Sequence, residues 1–519
     1  MKKVYTLDTT LRDGMQSAKI SFTIEDKIKI IKYLDRLGID YIEAGNPYSN
    51  IKDAELFERL ACIKLKHSRI ASFGSTRKVG ITAEKDPGLR VLKECSAETA
   101  VIFGKAWKLH IKEILGTTPE ENLAIISESI EYLCKNGKKV IFDAEHFFDG
   151  YKADKEYAIK VIRTAHEAGA ECVVLCDTNG GSFPAEIYEI VSEITKETDV
   201  PIGIHTHDDS GMAVACGIAA VQAGAVHIQG TINGVGERCG NANLATMIAN
   251  LQLKKGYQLI PEESMPTLTE TARAIAEISN ISTTGLPYIS KSAFSHKAGM
   301  HIDAVMKNPA SFEHIDPECV GNSRNILLSE MSGKAAILPA INKVVPGTKK
   351  DSPIVDMILR RLKELEFKGY QFEAANASLD LVIRKTLGIY RPLFELVKFK
   401  VFGEYDNSES SASAIVKIMV GSREELTAAD STEGPVHAID TALRKALYVF
   451  YPELKETKLT DYKVRVLNSS DTRSMVRVLI DTRDNNDTWS SVGISADIIE
   501  ASKNALMESL EYKLIKTRG

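Results

Sequence analysis

Eight short apolar runs, set at intervals through the first ~275 residues, constrain the fold of this chain more than anything else in it. They are Val4–Leu7, Tyr41–Ala44, Arg69–Phe73, Thr99–Phe103, Val140–Asp143, Cys172–Cys176, Ile202–Ile204 and His227–Ile232. Amphipathic stretches lie between most of them. Ile24–Leu37 carries Ile28, Ile31, Leu34 and Leu37 at helical spacing and stops at Gly38. Glu121–Lys135, Lys155–Ala168 and Ala185–Thr195 read the same way. Eight strand–helix units over this span predict a (β/α)8 barrel, with a doubly wound open sheet as the competing fold.

The chain is too long for one core. Residues 1–275 are assigned to the barrel and 276–365 to a helical linker region. The stretch with Pro339, Pro346, Gly347 and Pro353 is read there as a connector, followed by a helix over Ile354–Leu365. Residues 366–519 change character. Val397, Phe399 and Val401 alternate with lysines, Ala414 to Val420 alternate likewise, and a helix over Pro435–Phe450 follows with Pro435 in its first turn. The plan then recurs with Val464 and Val466, with Val476, Val478 and Ile480, and with a helix from Asp497 to about Leu514. A strand–strand–helix unit used twice predicts one pseudo-symmetric α+β domain without a catalytic cluster, suited to binding or oligomerisation.

Several polar groups fall where the predicted strands end. Thr6–Gln16, TLDTTLRDGMQ, runs from the first strand into Arg12, Asp13 and Gln16. His205 and His207 end the seventh strand, and a period of two puts both imidazoles on one side. In a barrel only strand eight separates strands one and seven, so Asp13 reaches the same mouth. One carboxylate and two imidazoles suit a divalent metal with open positions, able to polarise a carbonyl. The bland alternative is a pair of polar residues at a strand end. Arg12 suits a developing oxyanion or a structural ion pair. Asn241, in GERCGNANL, reads as a fourth, neutral ligand or as a helix cap. Glu145 after strand five is placed as a general base, and Thr178 after strand six as a donor to a substrate carboxylate. His110 lies just beyond strand four and is grouped with substrate binding. His301 lies outside the barrel and matters only if its segment covers a barrel mouth. The glycines 234, 236 and 240 do not form a dinucleotide fingerprint.

A formal net charge of -5 argues against nucleic acid as the main partner. No apolar run approaches a membrane span, and the N-terminal residues lack the apolar stretch of a secretory signal. The eight cysteines form no C-x-x-C and fit a reducing cytoplasm, each read as a small buried apolar residue.

LDTTLRDGMQ, EHFFDG, CDTNGG, HTHDDSG, GTINGVGERCGNANL and HKAGMHIDAV together resemble the metal-dependent barrel family of 2-isopropylmalate and homocitrate synthases, acyltransferases that use 2-oxo acids. The resemblance covers nearly the whole chain. FGKAWKLH, GERCGNANL and FSHKAGMHIDAVMKNPASFEHIDPECVGN look most like the branch that joins acetyl-CoA to pyruvate in isoleucine biosynthesis. The alternatives are the branch that takes 2-oxoisovalerate toward leucine, a C–C lyase, or a catalytically silent amino-acid sensor. The resemblance implies that Asp13, His205, His207 and Asn241 hold a divalent ion (Mn, Mg, Zn or Co). It implies that Arg12, His110 and Thr178 meet substrate, and that Arg12, Glu145 and His301 act in catalysis. It also implies a homodimer and feedback inhibition by isoleucine through the C-terminal domain. Where relatives often show tyrosine in a phrase like TYE, this chain has Ser311-Phe312-Glu313.

Overall fold

A computed structural model describes residues 2–18, 20–297, 299–326, 333–405, 410–467 and 474–518. The chain forms two compact units, residues 1–294 with 315–324, and residues 295–314 with 325–519.

The first unit is a closed, all-parallel barrel of eight strands. They are β1 (Tyr5–Asp8), β2 (Tyr41–Gly45), β3 (Arg69–Ser75), β4 (Thr99–Lys105), β5 (Lys139–Glu145), β6 (Cys172–Asp177), β7 (Ile202–Thr206) and β8 (His227–Gly230). The competing open sheet is thereby excluded, because β1 pairs with both β2 and β8. The strands need only be short. Most of their residues are buried on both faces, and the surrounding helices supply the outer half of the core.

The helices form for local reasons. Ile24–Leu37 begins in a reciprocal Thr23–Asp26 capping box and ends at Gly38, whose φ of 88° closes the last turn. Pro119–Lys135 and Pro184–Glu197 each start on a proline, whose missing N–H costs nothing at that position. Buried Lys27 of the first helix binds Asp53 of the next at 2.5 Å, and Asp53 also accepts the Asn46 N–H at 2.9 Å. That pair ties the end of β2 to two helices. Gly45 leaves the space, since a Cβ there would meet Asp53 at 2.3 Å.

Inside the barrel the two-residue period sorts side chains into rows. Leu7, Tyr41, Ala71, Val101, Ile141, Cys172, Val174 and Cys176 form one apolar interior cluster. The next positions along the same rows are polar: Glu43, Asp143, Glu145, His205 and Gln229. The apolar residues fill the barrel, and the polar ones stand above them toward the C-terminal ends of the strands.

In the second unit, helices Lys334–Val344, Pro353–Phe367 and Asn376–Thr386 share a core built on Ile337, Ile341, Val355, Ile358 and Ile383. The stretch read as a connector is therefore helical in its first half, with Pro339 inside the helix. The turn begins only at Val345. Two antiparallel sheets follow: β9 (Glu395–Tyr405), β10 (Ser410–Val420) and β11 (Arg423–Ser431), then β12 (Lys458–Val466), β13 (Val476–Arg483) and β14 (Thr488–Ser495). Pro435–Tyr448 packs on the first sheet and Ile498–Arg518 on the second, and both helices meet in one core.

The repeat thus has three strands per unit, not two. β11, REELTAADS, is largely charged and exposed, and β14 carries serines, so neither shows the apolar alternation that marks the others. All eight cysteines are free. Cys172, Cys176 and Cys216 are buried as expected, whereas Cys62, Cys239 and Cys319 are exposed. Among the described residues no helix is long and apolar enough to cross a membrane.

Candidate active site and metal centre at the barrel mouth

The loop after β1 is wound tightly. The carbonyl of Thr9 accepts the N–H groups of Arg12, Asp13 and Gly14 at 2.8–3.1 Å. Buried Asp8 accepts the Thr10 N–H and hydroxyl and the Ile232 N–H, which locks this loop to the one after β8. Asp13 is thereby turned inward and is only 2% exposed.

His205 and His207 meet it there. The Nε2 atoms of the two imidazoles lie 3.3 Å apart, and His205 Nε2 is 3.4 Å from Asp13 Oδ2. The three residues are buried, and one ligand atom from each lies within 4.8 Å of the others. Burial works against charge on Asp13, but Arg12 and His205 hold its carboxyl well below the usual carboxylate range. Burial also opposes charge on His205, yet Asp13 raises its pKa; burial and the neighbouring His205 push His207 down to about 3.

This donor set fits a divalent ion. Two ring nitrogens and a carboxylate, all on buried residues, converge at the floor of the barrel mouth. His207 Nδ1 and both amide atoms of Asn241 are buried with no hydrogen-bond partner among the described residues. Asn241 pairs through its backbone with His207, and Gly236 makes room for it, since a Cβ there would meet its amide at 3.0–3.1 Å. The helix that follows is capped by Asn243, which accepts the Thr246 N–H. Capping is therefore not the role of Asn241. Gly240 has φ 104°, and a Cβ there would lie 2.1 Å from the Gly234 carbonyl. Only glycine lets this loop fold back on itself.

Arg12, Asp13, Glu145, Thr178, His205 and His207 all line one cavity. Phe103 and Asp143 line it too. The β4–β5 register sets Lys105 opposite Glu145, and the Lys105 ammonium is bound to the Glu145 carboxylate. Thr178 Oγ1 accepts the His146 N–H at 2.9 Å, which leaves its own hydrogen free to donate. His110 is not among the cavity-lining residues. It stacks on Trp107, with its ring centre 4.3 Å from that of His146; burial lowers its pKa. His301 belongs to the second unit, where it is exposed and stacked on Phe312 with ring centres 4.0 Å apart.

Several residues of this site escaped sequence reasoning. Fully buried Glu43 receives Arg12 Nε at 2.5 Å, while the Arg12 guanidinium lies 3.7 Å over the Phe73 ring. Gln229 accepts from His205 Nδ1 and donates to Asp143, at 2.9 Å each. Burial and Glu43 push Asp143 up to about 7. Arg238, with φ 55°, grips Asp209 through two hydrogen bonds and the Thr178 carbonyl at 2.7 Å, joining the loops after β6, β7 and β8. A signal existed for Glu43 and Gln229. Each is a polar residue set among apolar ones, on the interior parity of its strand.

Known proteins share this organisation. Residues 3–281 match the HMGL-like family, 288–369 the homocitrate synthase post-HMGL domain-like family, and 373–514 the LeuA allosteric (dimerisation) domain. An (R)-citramalate synthase of Geobacter sulfurreducens is 46% identical over 100% of this chain and 98% of its own length. One from Aquifex aeolicus is 46% identical over 99% of this chain and 98% of its own. A probable 2-isopropylmalate synthase of Methanopyrus kandleri is 31% identical over 98% of each.

Proposed function

The chain belongs to the HMGL-like family, and from that membership, its full-length likeness to (R)-citramalate synthases and the geometry of its barrel mouth, we infer that it condenses acetyl-CoA with pyruvate to give citramalate and CoA. The observation that carries the chemistry is the convergence of Asp13, His205 and His207 beside Arg12. The likeness to 2-isopropylmalate synthase is weaker at equal coverage, so 2-oxoisovalerate is not the favoured substrate. A carbon–carbon lyase or a silent sensor is not favoured either.

Asp13, His205 and His207, with Asn241 beside them, would hold a divalent ion. When bound, that ion supplies Lewis acidity toward the carboxylate and 2-oxo oxygen of pyruvate. Its identity is left open among Mn, Mg, Zn and Co. Arg12 cannot lose its proton and stands at the reacting centre, where it stabilises negative charge on the enolate and then on the C2 oxygen. Glu145 takes a proton from the acetyl methyl group, and Lys105 holds its carboxylate in place. Thr178 donates its hydroxyl to the pyruvate carboxylate. His110 supports the bound substrate from the side of Trp107, and His301 assists proton transfer from its own segment. The new bond joins the acetyl methyl carbon to C2 as the carbonyl π pair moves onto the C2 oxygen, and a proton returns there to give the hydroxyl. Water then cleaves the thioester, releasing CoA.

The division into a barrel over 1–275, a linker over 276–365 and a regulatory domain over 366–519 serves this reading. The C-terminal repeat, in a region that matches an allosteric dimerisation domain, pairs two chains and binds isoleucine as end-product inhibitor. A cytoplasmic setting follows from the substrates.

The deciding experiment is CoA release from acetyl-CoA against a panel of 2-oxo acids, with and without chelator. Pyruvate turns over best, and chelation abolishes the rate. Faster turnover of 2-oxoisovalerate would overturn the substrate assignment.

A further inference from the structure

His205 and His207 are alike in residue type and differ in their surroundings. His205 Nδ1 is hydrogen-bonded to Gln229 Oε1 at 2.9 Å, and Gln229 Nε2 donates to Asp143 Oδ1 at 2.9 Å. His207 Nδ1 is buried with no partner among the described residues. The Nε2 atoms of the two rings face each other at 3.3 Å, and His205 Nε2 lies 3.4 Å from Asp13 Oδ2. A neutral imidazole that offers its Nε2 lone pair must carry its proton on Nδ1. At His205 an acceptor stands waiting for that proton.

The amide of Gln229 has a direction, since one end accepts and the other donates. Asp143 settles it. Oδ1 of that carboxyl takes a hydrogen bond, which draws Nε2 to its side and leaves Oε1 facing His205. Asp143, Gln229 and His205 are 4%, 1% and 5% exposed, so water cannot cheaply replace either link. The strands supply the placement. Gln229 stands opposite Leu7 of β1, two residues along β8 from His227, and Asp143 lies on β5 across the barrel interior.

We propose that Gln229, oriented by Asp143, is the positioning residue that holds His205 in the Nε2-ligating tautomer for the divalent ion. This rests on the metal-site reading above. It makes the two histidines unequal: His205 is set before any ion arrives, and His207 is not.

The test uses the full-length chain, stripped of metal and titrated with Mn2+ by calorimetry. It is paired with 15N spectra of histidine-labelled protein, which report which ring nitrogen carries the proton. Gln229→Met removes both links. It weakens Mn2+ binding roughly 10- to 100-fold and erases the His205 Nδ1–H signature. Gln229→Glu still accepts from Nδ1–H and keeps that signature. Asp143→Asn still offers an oxygen to Gln229 Nε2 and binds Mn2+ as the wild type does, whereas Asp143→Val loses affinity. Circular dichroism of each variant separates a lost contact from a lost fold, and Asp143→Asn keeps the question answerable if Gln229→Met does not fold. Wild-type affinity and an unchanged His205 spectrum in Gln229→Met would overturn the proposal while the metal site stands. A wild-type chain that takes up no Mn2+ would overturn the metal-site reading and this inference together.

Discussion

Arg12, in the loop after β1, donates Nε–H to Glu43 Oε2 on the neighbouring strand β2 at 2.5 Å. Glu43 is fully buried, and its second oxygen has no partner among the described residues. Burial raises its pKa, and Arg12 works against that rise. The guanidinium is thus held by a charge from one side and by the Phe73 ring from another. Glu43→Gln keeps an acceptor for Nε but removes the charge that anchors the fork. The expected result is a kcat lower by roughly 10- to 100-fold, less than the loss of a stabilising donor itself would cost. Steady-state CoA release checks this, and an unchanged kcat would remove Glu43 from the account of Arg12.

His207→Ala leaves two of the three converging ligand atoms. Metal content measured after gel filtration falls from about one ion per chain to near zero, and CoA release falls with it. Chelation of the wild type reproduces the loss, and added divalent ion reverses it. Retention of both metal and activity in the variant would show that the site is elsewhere.

His227 opens β8, near Tyr41, with Nε2 buried and unpartnered among the described residues. Burial lowers its pKa from the ordinary value to about 4. In the unfolded chain the same ring titrates near 6.5, so between these values the unfolded state binds more protons than the folded one. Stability is full above pH ~6.5 and falls by about 1.4 kcal/mol per pH unit down to pH ~4, or about 3 kcal/mol in all. His227→Leu flattens that part of the acid limb in urea titrations at successive pH values. An identical pH slope in the variant would show that His227 is not the group responsible.

The C-terminal repeat predicts a separable regulatory function. The expected result is that isoleucine gives a binding heat with the full-length chain in calorimetry and lowers its rate of CoA release. A chain ended at residue 390 gives no binding heat. Binding that survives the truncation would place the amino-acid site outside the repeat.

Much of the site was legible because strand periodicity is local. His205 and His207 are two residues apart, so their shared side follows from the backbone alone, and apolar runs of the right spacing place them at the end of β7. Gly38 and Pro435 mark helix ends through their own dihedral preferences. Reading failed where a side chain's role depends on a partner far along the chain. β11 and β14 pair with β10 and β13 by backbone hydrogen bonds that charged or serine-rich residues form as well as valine does. Pro339 sits inside a helix that its packed neighbours keep in place.

The sequence alone determined the order of the strands, the kinds of group at their ends, and the presence of a carboxylate and two imidazoles at one mouth. Only the tertiary structure decided how those groups are paired. Closing the barrel brings Arg12 to Glu43, Gln229 to Asp143 and Lys105 to Glu145, pairs separated by 31 to 86 residues. Closure also removes the water that would otherwise screen them. Charge, tautomer and orientation depend on burial and on non-local partners, and neither exists until the chain has folded.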